Sequence, residues 1–278
     1  MSSELSSLRL LLVKALSVSL IAGDAIMEVY GGSDFNIEMK EDNSPLTLAD
    51  KASNSIIVDG FRDFGIPVLS EEGSVISWGI RQDWERYWLI DPLDGTKEFI
   101  KRNDEFTVNI ALIENNEPIL GVVYLPVLKQ LYFALKGHGA YKLENVEQKE
   151  LNEEDFEQLL KKSMKLPDHK KGEGIRVVAS RSHLSQETED FIRELKGKGE
   201  KIALVPAGSS LKLCLIAEGK ADVYPRMGPT MEWDIAAGHI IINESGGCVV
   251  KLDSTPLNYN KPDLLNPWFI AKSKLYRS

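Results

Sequence analysis

The sequence predicts a mixed fold in two halves, α+β followed by α/β, on three observations. Apolar residues recur at helical spacing near the N-terminus, from Leu8 through Leu12, Leu16 and Leu20. From Phe106 the polarity alternates at period two, and turn residues then separate short apolar runs, the pattern of an antiparallel meander. Beyond Gly174, strand-type and helix-type segments alternate as in an α/β layer. The expected division is 1–145, carrying the central acidic motif, and 146–278.

A chain of 278 residues can bury a large core. Its net charge of −9 argues against a nucleic-acid partner, because phosphate backbones are held by clustered Lys and Arg. Cys214 and Cys248 stand alone, so neither a disulfide framework nor a zinc site is indicated, and a reducing cytoplasm fits. The run Leu8 to Val13 is short and meets Lys14, Asp24 and Glu28, which suits neither a signal peptide nor a transmembrane segment.

Taken in order, the first element is a packing helix from Ser7 to Tyr30, stopped by Gly31 and Gly32. A second runs from Thr47 to about Phe61, with Thr47 as N-cap and Asp50 at the acid position of a capping box. Asp50 equally suits a carboxylate reaching from the first turn into a site. Pro67 to Gly73 is a short apolar run ending in Glu71 and Glu72, which serve either as a solvated surface feature or as oxygen ligands.

Trp88, Leu89 and Ile90 form a strand that enters Asp91-Pro-Leu-Asp94-Gly-Thr96. Pro92 and Gly95 shape a turn that lets both carboxylates face one point, and a short helix follows from Lys97 to Lys101. Two hard oxygen ligands without His or Cys suit magnesium, and the helix start offers amides to a phosphate. An Asp-Pro turn with a capping role is the alternative.

Phe106 to Leu112 reads as a half-buried strand, with Thr107, Asn109 and Ala111 on the second face. Ile119 to Leu125 and Gln130 to Leu135 continue the meander, and Lys142 to Gly174 reads as a charged surface insertion. In the second half, strands at Ile175–Ala179 and Ile202–Val205 alternate with helices at Ser185–Leu195 and Ser209–Glu218. Ser209, Ser210 and Lys212 could hold an anion at a helix start, or Ser209 could simply cap it. A further strand ends on Arg226, and Glu232-Trp-Asp234 opens the last helix, whose Ala236, Ala237 and Gly238 permit close packing.

The set Ser70-Glu71-Glu72, Asp91-Pro-Leu-Asp94-Gly-Thr96 and Trp233-Asp234-x-Ala-Ala-Gly238 resembles the inositol monophosphatase superfamily of metal-dependent phosphatases. The resemblance runs from the first helix to the C-terminal strands. Within that superfamily the chain is most similar to the bacterial 3′(2′),5′-bisphosphate nucleotidases of the CysQ type. The segments Gly95 to Arg102, Ser180-Arg-Ser-His183, Gly208 to Lys212 and Tyr224-Pro-Arg226 carry that likeness.

The resemblance implies a layered αβαβα sandwich with the site between the halves. It implies two or three magnesium ions (Mg2+) per site, held by Glu71, Asp91, Asp94, Asp234 and the carbonyl of Leu93, with Asp50 and Thr96 orienting the attacking water. It also implies a small-molecule nucleotide substrate, adenosine 3′,5′-bisphosphate (PAP), cleaved to AMP during sulfate assimilation, with possible action on the phosphosulfate PAPS. Gly95, Thr96, His183, Ser209, Ser210, Lys212 and Arg226 would contact it. Arg226 stands where inositol phosphatases carry an acid, although it could serve as a plain surface ion pair.

Lithium sensitivity and a cytoplasmic location follow from the same likeness, with weak peripheral association at the inner membrane's cytoplasmic face left open. The competing expectations are an inositol or sugar monophosphatase of this fold and a non-catalytic nucleotide-binding member.

Overall fold

The computed structural model describes residues 3–33, 35–40, 45–147, 156–170, 172–179 and 185–276. Helix α1 (Ser3–Gly31) precedes a ribbon of β1 (Glu38–Met39) and β2 (Pro45–Leu46), then α2 (Leu48–Phe61) and β3 (Val68–Ser70). A short α3 (Trp78–Arg81) leads into β4 (Arg86–Asp94), α4 (Thr96–Ile100), β5 (Thr107–Glu114), β6 (Glu117–Leu125), β7 (Gln130–Leu135) and β8 (Gly139–Glu144). Beyond it come α5 (Phe156–Lys162), β9 (Met164–Lys165), β10 (Ile175–Ala179), α6 (Gln186–Gly197), β11 (Ile202–Pro206), α7 (Leu211–Glu218) and β12 (Val223–Arg226). The chain closes with α8 (Glu232–Glu244), β13 (Cys248–Lys251) and β14 (Phe269–Lys272).

Among the described residues, β3 to β9 form a seven-stranded sheet in chain order, and a five-stranded sheet runs β11-β10-β12-β14-β13. Helices α1 and α2 pack on one face of the first sheet, and α8 packs on the other. Helices α7 and α8 also meet the second sheet, whose far face packs against α6. The layers therefore run αβαβα, as the resemblance implied.

This layering decides how the strands read. Trp88, Ile90, Val108 and Ile110 point into the core shared with α1 and α2, whereas Tyr87, Leu89, Ala111 and Ile113 point toward α8. The half-buried strand expected at 106–112 is thus buried on both faces, because helices cover both sides of its sheet. The same alternation turns Asp91, Thr107 and Asn109 inward, each at most 1% exposed.

Helix α1 is long and apolar enough, by composition, to cross a membrane, yet 61% of its apolar window is buried against the protein. The expected surface insertion at 142–174 is a correction as well. Lys142, Phe156, Leu159 and Leu166 are buried, and β9 adds an edge to the first sheet. Glu and Lys on the outer side of that segment concealed its few anchoring residues.

Candidate active site

Strand β4 continues through the Asp91-Pro-Leu-Asp94 turn, and its pairing with β5 shifts register between Asp91 and Asp94. That irregularity lets two aspartates three residues apart approach one cleft, where strict alternation would send them to opposite faces. Ser53 in α2 donates to the Pro92 carbonyl at 2.7 Å, and the Leu93 amide donates to Asp91 Oδ1 at 3.1 Å. Gly95 then adopts a φ of +94° at the start of α4, a left-handed conformation that favours glycine. A Cβ there would stand 3.0 Å from the Glu105 carbonyl.

Carboxylate oxygens of Glu71, at the end of β3, Asp91 and Asp234 lie within 4.8 Å of one another. With Leu93, Asp94, Gly95 and Thr96 they line one cavity of about 390 Å³. Burial and then the neighbouring Glu71, Asp94 and Asp234 charges push the Asp91 carboxyl well above the carboxylate range. Burial also raises Asp94, against the opposing pull of Lys212. Burial and the Asp94 charge push Asp234 up to about 8.

An all-oxygen set that gives up its protons reluctantly fits a hard divalent cation, whose charge would displace them and relieve the repulsion. The donor chemistry therefore fits a metal.

Asp50 performs both of the jobs its position allowed. Its Oδ2 accepts the Thr47 amide at 2.7 Å, completing the capping box, while Oδ1 accepts the Thr96 hydroxyl at 3.1 Å. Burial raises its pKa against the lowering effect of the Thr47 hydrogen bonds. Thr96 Oγ1 also lies 3.4 Å from the Leu93 carbonyl.

The second half closes the cleft. Lys212 and Arg226 line a cavity of about 210 Å³ with Asp94, Gly95 and Ser209, so two cations adjoin the acidic cluster. Arg226 Nη2 donates to the Pro229 carbonyl at 2.8 Å, and Lys212 Nζ lies 5.8 Å from the centre of the Tyr224 ring. Ser209 does not cap the helix after it. α7 begins at Leu211, Ser209 has a φ of +38°, and its hydroxyl donates to Thr107 Oγ1 at 3.2 Å. Ser210 Oγ donates to the Asp234 carbonyl at 2.8 Å. His183 lies outside the described residues, as do Ser180 to Ser182.

Three participants escaped the sequence. Lys40 Nζ bonds Glu71 Oε1 at 2.8 Å and also pairs with Glu72. Burial pulls that ammonium down, but the two glutamates hold it above its ordinary value. Thr107 and Asn109 link the halves: Asn109 Nδ2 donates to Ser210 Oγ at 3.0 Å, and Thr107 Oγ1 donates to Asn109 Oδ1 at 3.0 Å. Their only signal was polarity inside an otherwise apolar strand, which reads as a solvent face when the covering helix is unknown.

The family model for inositol monophosphatases matches residues 8–276. The chain belongs to the inositol monophosphatase family. This family member is 47% identical over 252 residues to the 3′(2′),5′-bisphosphate nucleotidase CysQ of Escherichia coli O6:H1, covering 89% of this chain and 94% of that one. The crystal structure of CysQ from Bacteroides thetaiotaomicron matches it with a TM-score of 0.85 and 49% identity, over 94% of this chain and 96% of that one. The IMPase of Thermotoga maritima matches with a TM-score of 0.70 and 26% identity, over 94% and 91% of the two chains. The inositol monophosphatase fold is common to all of them, and the sequence lies nearer the nucleotidases.

Proposed function

We infer that the chain is a magnesium-dependent 3′(2′),5′-bisphosphate nucleotidase that removes the 3′-phosphate of adenosine 3′,5′-bisphosphate, leaving AMP and phosphate, in sulfate assimilation in the cytoplasm. The observation that carries this is the juxtaposition of the carboxylate cleft with a second cavity lined by Lys212 and Arg226, the two having Asp94 and Gly95 in common. A substrate with two phosphates needs metal-ligating acids at one and fixed cations at the other.

Glu71, Asp91, Asp94, Asp234 and the Leu93 carbonyl would hold the magnesium. When bound, it supplies charge that lowers the pKa of an attacking water and neutralises the leaving ribose oxygen. The remaining work belongs to the protein. Thr96 gives its hydroxyl hydrogen to Asp50 at 3.1 Å, which leaves its oxygen lone pairs to accept a hydrogen from water in the cleft. Asp50, whose proton affinity burial raises, can take up the proton of that hydroxyl as the hydroxyl takes one from the water. The amides that follow Gly95 face the phosphate oxygens, and Lys212 and Arg226 grip the 5′-phosphate.

The test separates substrate classes. Replacing Arg226 by Glu should raise KM for adenosine 3′,5′-bisphosphate roughly 10- to 150-fold, the equivalent of a charge-assisted contact worth about 1.5–3 kcal/mol. Hydrolysis of 3′-AMP, which has no 5′-phosphate, should change less than about 3-fold, because that contact is absent from it. Equal losses on both substrates would remove Arg226 from the 5′-phosphate.

A further inference from the structure

Asp234 is fixed by a buried clamp outside the cleft. Glu232, two residues earlier and wholly buried, turns away from the carboxylate cluster. Its Oε2 accepts the Asn260 amide at 2.7 Å, and its Oε1 accepts the Lys261 amide at 3.0 Å and pairs with the Lys261 ammonium. The backbone is held by the same loop. The Glu232 amide donates to the Leu264 carbonyl at 3.0 Å, and Asn266 Nδ2 donates to the Met231 carbonyl at 2.7 Å.

The loop is itself anchored on α3. Asn260 Nδ2 donates to the Arg81 carbonyl at 2.7 Å, and the Arg81 guanidinium donates to Asn260 Oδ1 at 2.9 Å and the Pro262 carbonyl at 2.8 Å. Arg81, 2% exposed, ends α3, the element that follows Glu71 and Glu72 in the chain. Hydrogen bonds therefore run from α3, through Arg81 and Asn260, to Glu232 in the first turn of α8, where the Met231 amide donates to Asp234 Oδ2 at 2.9 Å. Glu71 and Asp234 come from opposite halves and must meet within 4.8 Å.

We propose that Glu232, Asn260 and Arg81 are positioning residues that fix the first turn of α8, and with it Asp234, and thereby set the affinity for the cation. The Lys261 ammonium completes the clamp by pairing with Glu232, so that this wholly buried carboxylate is not left uncompensated. Outer groups that orient metal ligands typically change affinity 10- to 100-fold when removed. This inference rests on the metal-dependent function inferred above.

Calorimetric titration of the substrate-free protein with Mg2+ tests it, with thermal unfolding measured in parallel. Asn260→Ala breaks the path to Arg81 without touching a ligand, and should weaken Mg2+ binding roughly 10-fold or more. Glu232→Ala should weaken it by about as much again, up to roughly 100-fold. Lys261→Met, which keeps both backbone donors, should fall between the wild type and Glu232→Ala.

Variants that unfold earlier but bind Mg2+ with wild-type affinity would reduce the network to a stabilising one and overturn the proposal. Where Glu232→Ala does not fold, Asn260→Ala and Lys261→Met decide the matter by the same criterion. A wild type that binds no Mg2+ would instead sink the metal-dependent function, a distinguishable failure.

Discussion

With Glu71, Asp94 and Asp234 around it and 1% of its surface exposed, Asp91 loses its proton reluctantly until a cation arrives. Asp91→Asn therefore changes little in the metal-free cluster but takes one oxygen anion from the metal. Turnover should fall below about one-thousandth of wild type, while the metal-free protein, in which Asp91 keeps its proton, should melt within roughly 2–4 °C of wild type, the equivalent of about 1 kcal/mol in a chain of this size. Phosphate release and a melting curve in chelator check both statements, and a metal-free variant that melts much higher than wild type would mean that Asp91 is charged without metal.

The pH dependence follows from Asp234, raised from 3.8 to about 8 by burial and Asp94. A carboxyl that binds its proton more tightly when folded stabilises the fold fully below its unfolded pKa, and that stability is lost as pH rises through the folded value. In chelator the protein should therefore melt lower at pH 8.5 than at pH 6, and excess Mg2+ should restore it most at the higher pH. Equal melting temperatures in chelator at both pH values would remove the repulsion from the site.

At the scale of elements, α8 is the piece that joins the two sheets. It lies on β6 without an intervening side chain: a Cβ on Gly121 would stand 2.5 Å from the Ala237 carbonyl and 2.4 Å from Ile240 Cγ2. Gly121→Ala must therefore lift the helix that carries Asp234. The expected cost is roughly 1–3 kcal/mol of stability, with weaker Mg2+ binding, read by denaturant unfolding and calorimetry. An unchanged midpoint would mean that the helix has room to move.

Local chemistry made several elements legible in advance. The Thr47–Asp50 capping box, the Gly31 stop and the small residues of α8 act over a few positions, and each takes its expected place. Burial of β5 on both faces was not legible, because it depends on α8, which joins the chain more than a hundred residues later. Ser209 misled for a related reason: its hydroxyl is claimed by Thr107 from the other half rather than by the helix it precedes.

Across the whole molecule, order along the chain revealed which carboxylates belong together, since separated motifs in sequence match a family whose model spans residues 8–276. The supports were hidden. Lys40, Asn109, Arg81 and Asn260 act through partners distant in sequence, and none lies in a pattern that local spacing makes conspicuous.

The central claim is that the carboxylate cleft takes the 3′-phosphate while Lys212 and Arg226 keep the 5′-phosphate. It is tested most directly by incubating the protein with adenosine 3′,5′-bisphosphate and Mg2+ and resolving the nucleotide formed by chromatography. The predicted product is 5′-AMP with one equivalent of phosphate, absent in chelator. Formation of 3′-AMP would reverse the placement of the two phosphates, and an untouched nucleotide beside rapid hydrolysis of inositol 1-phosphate would contradict the substrate class itself.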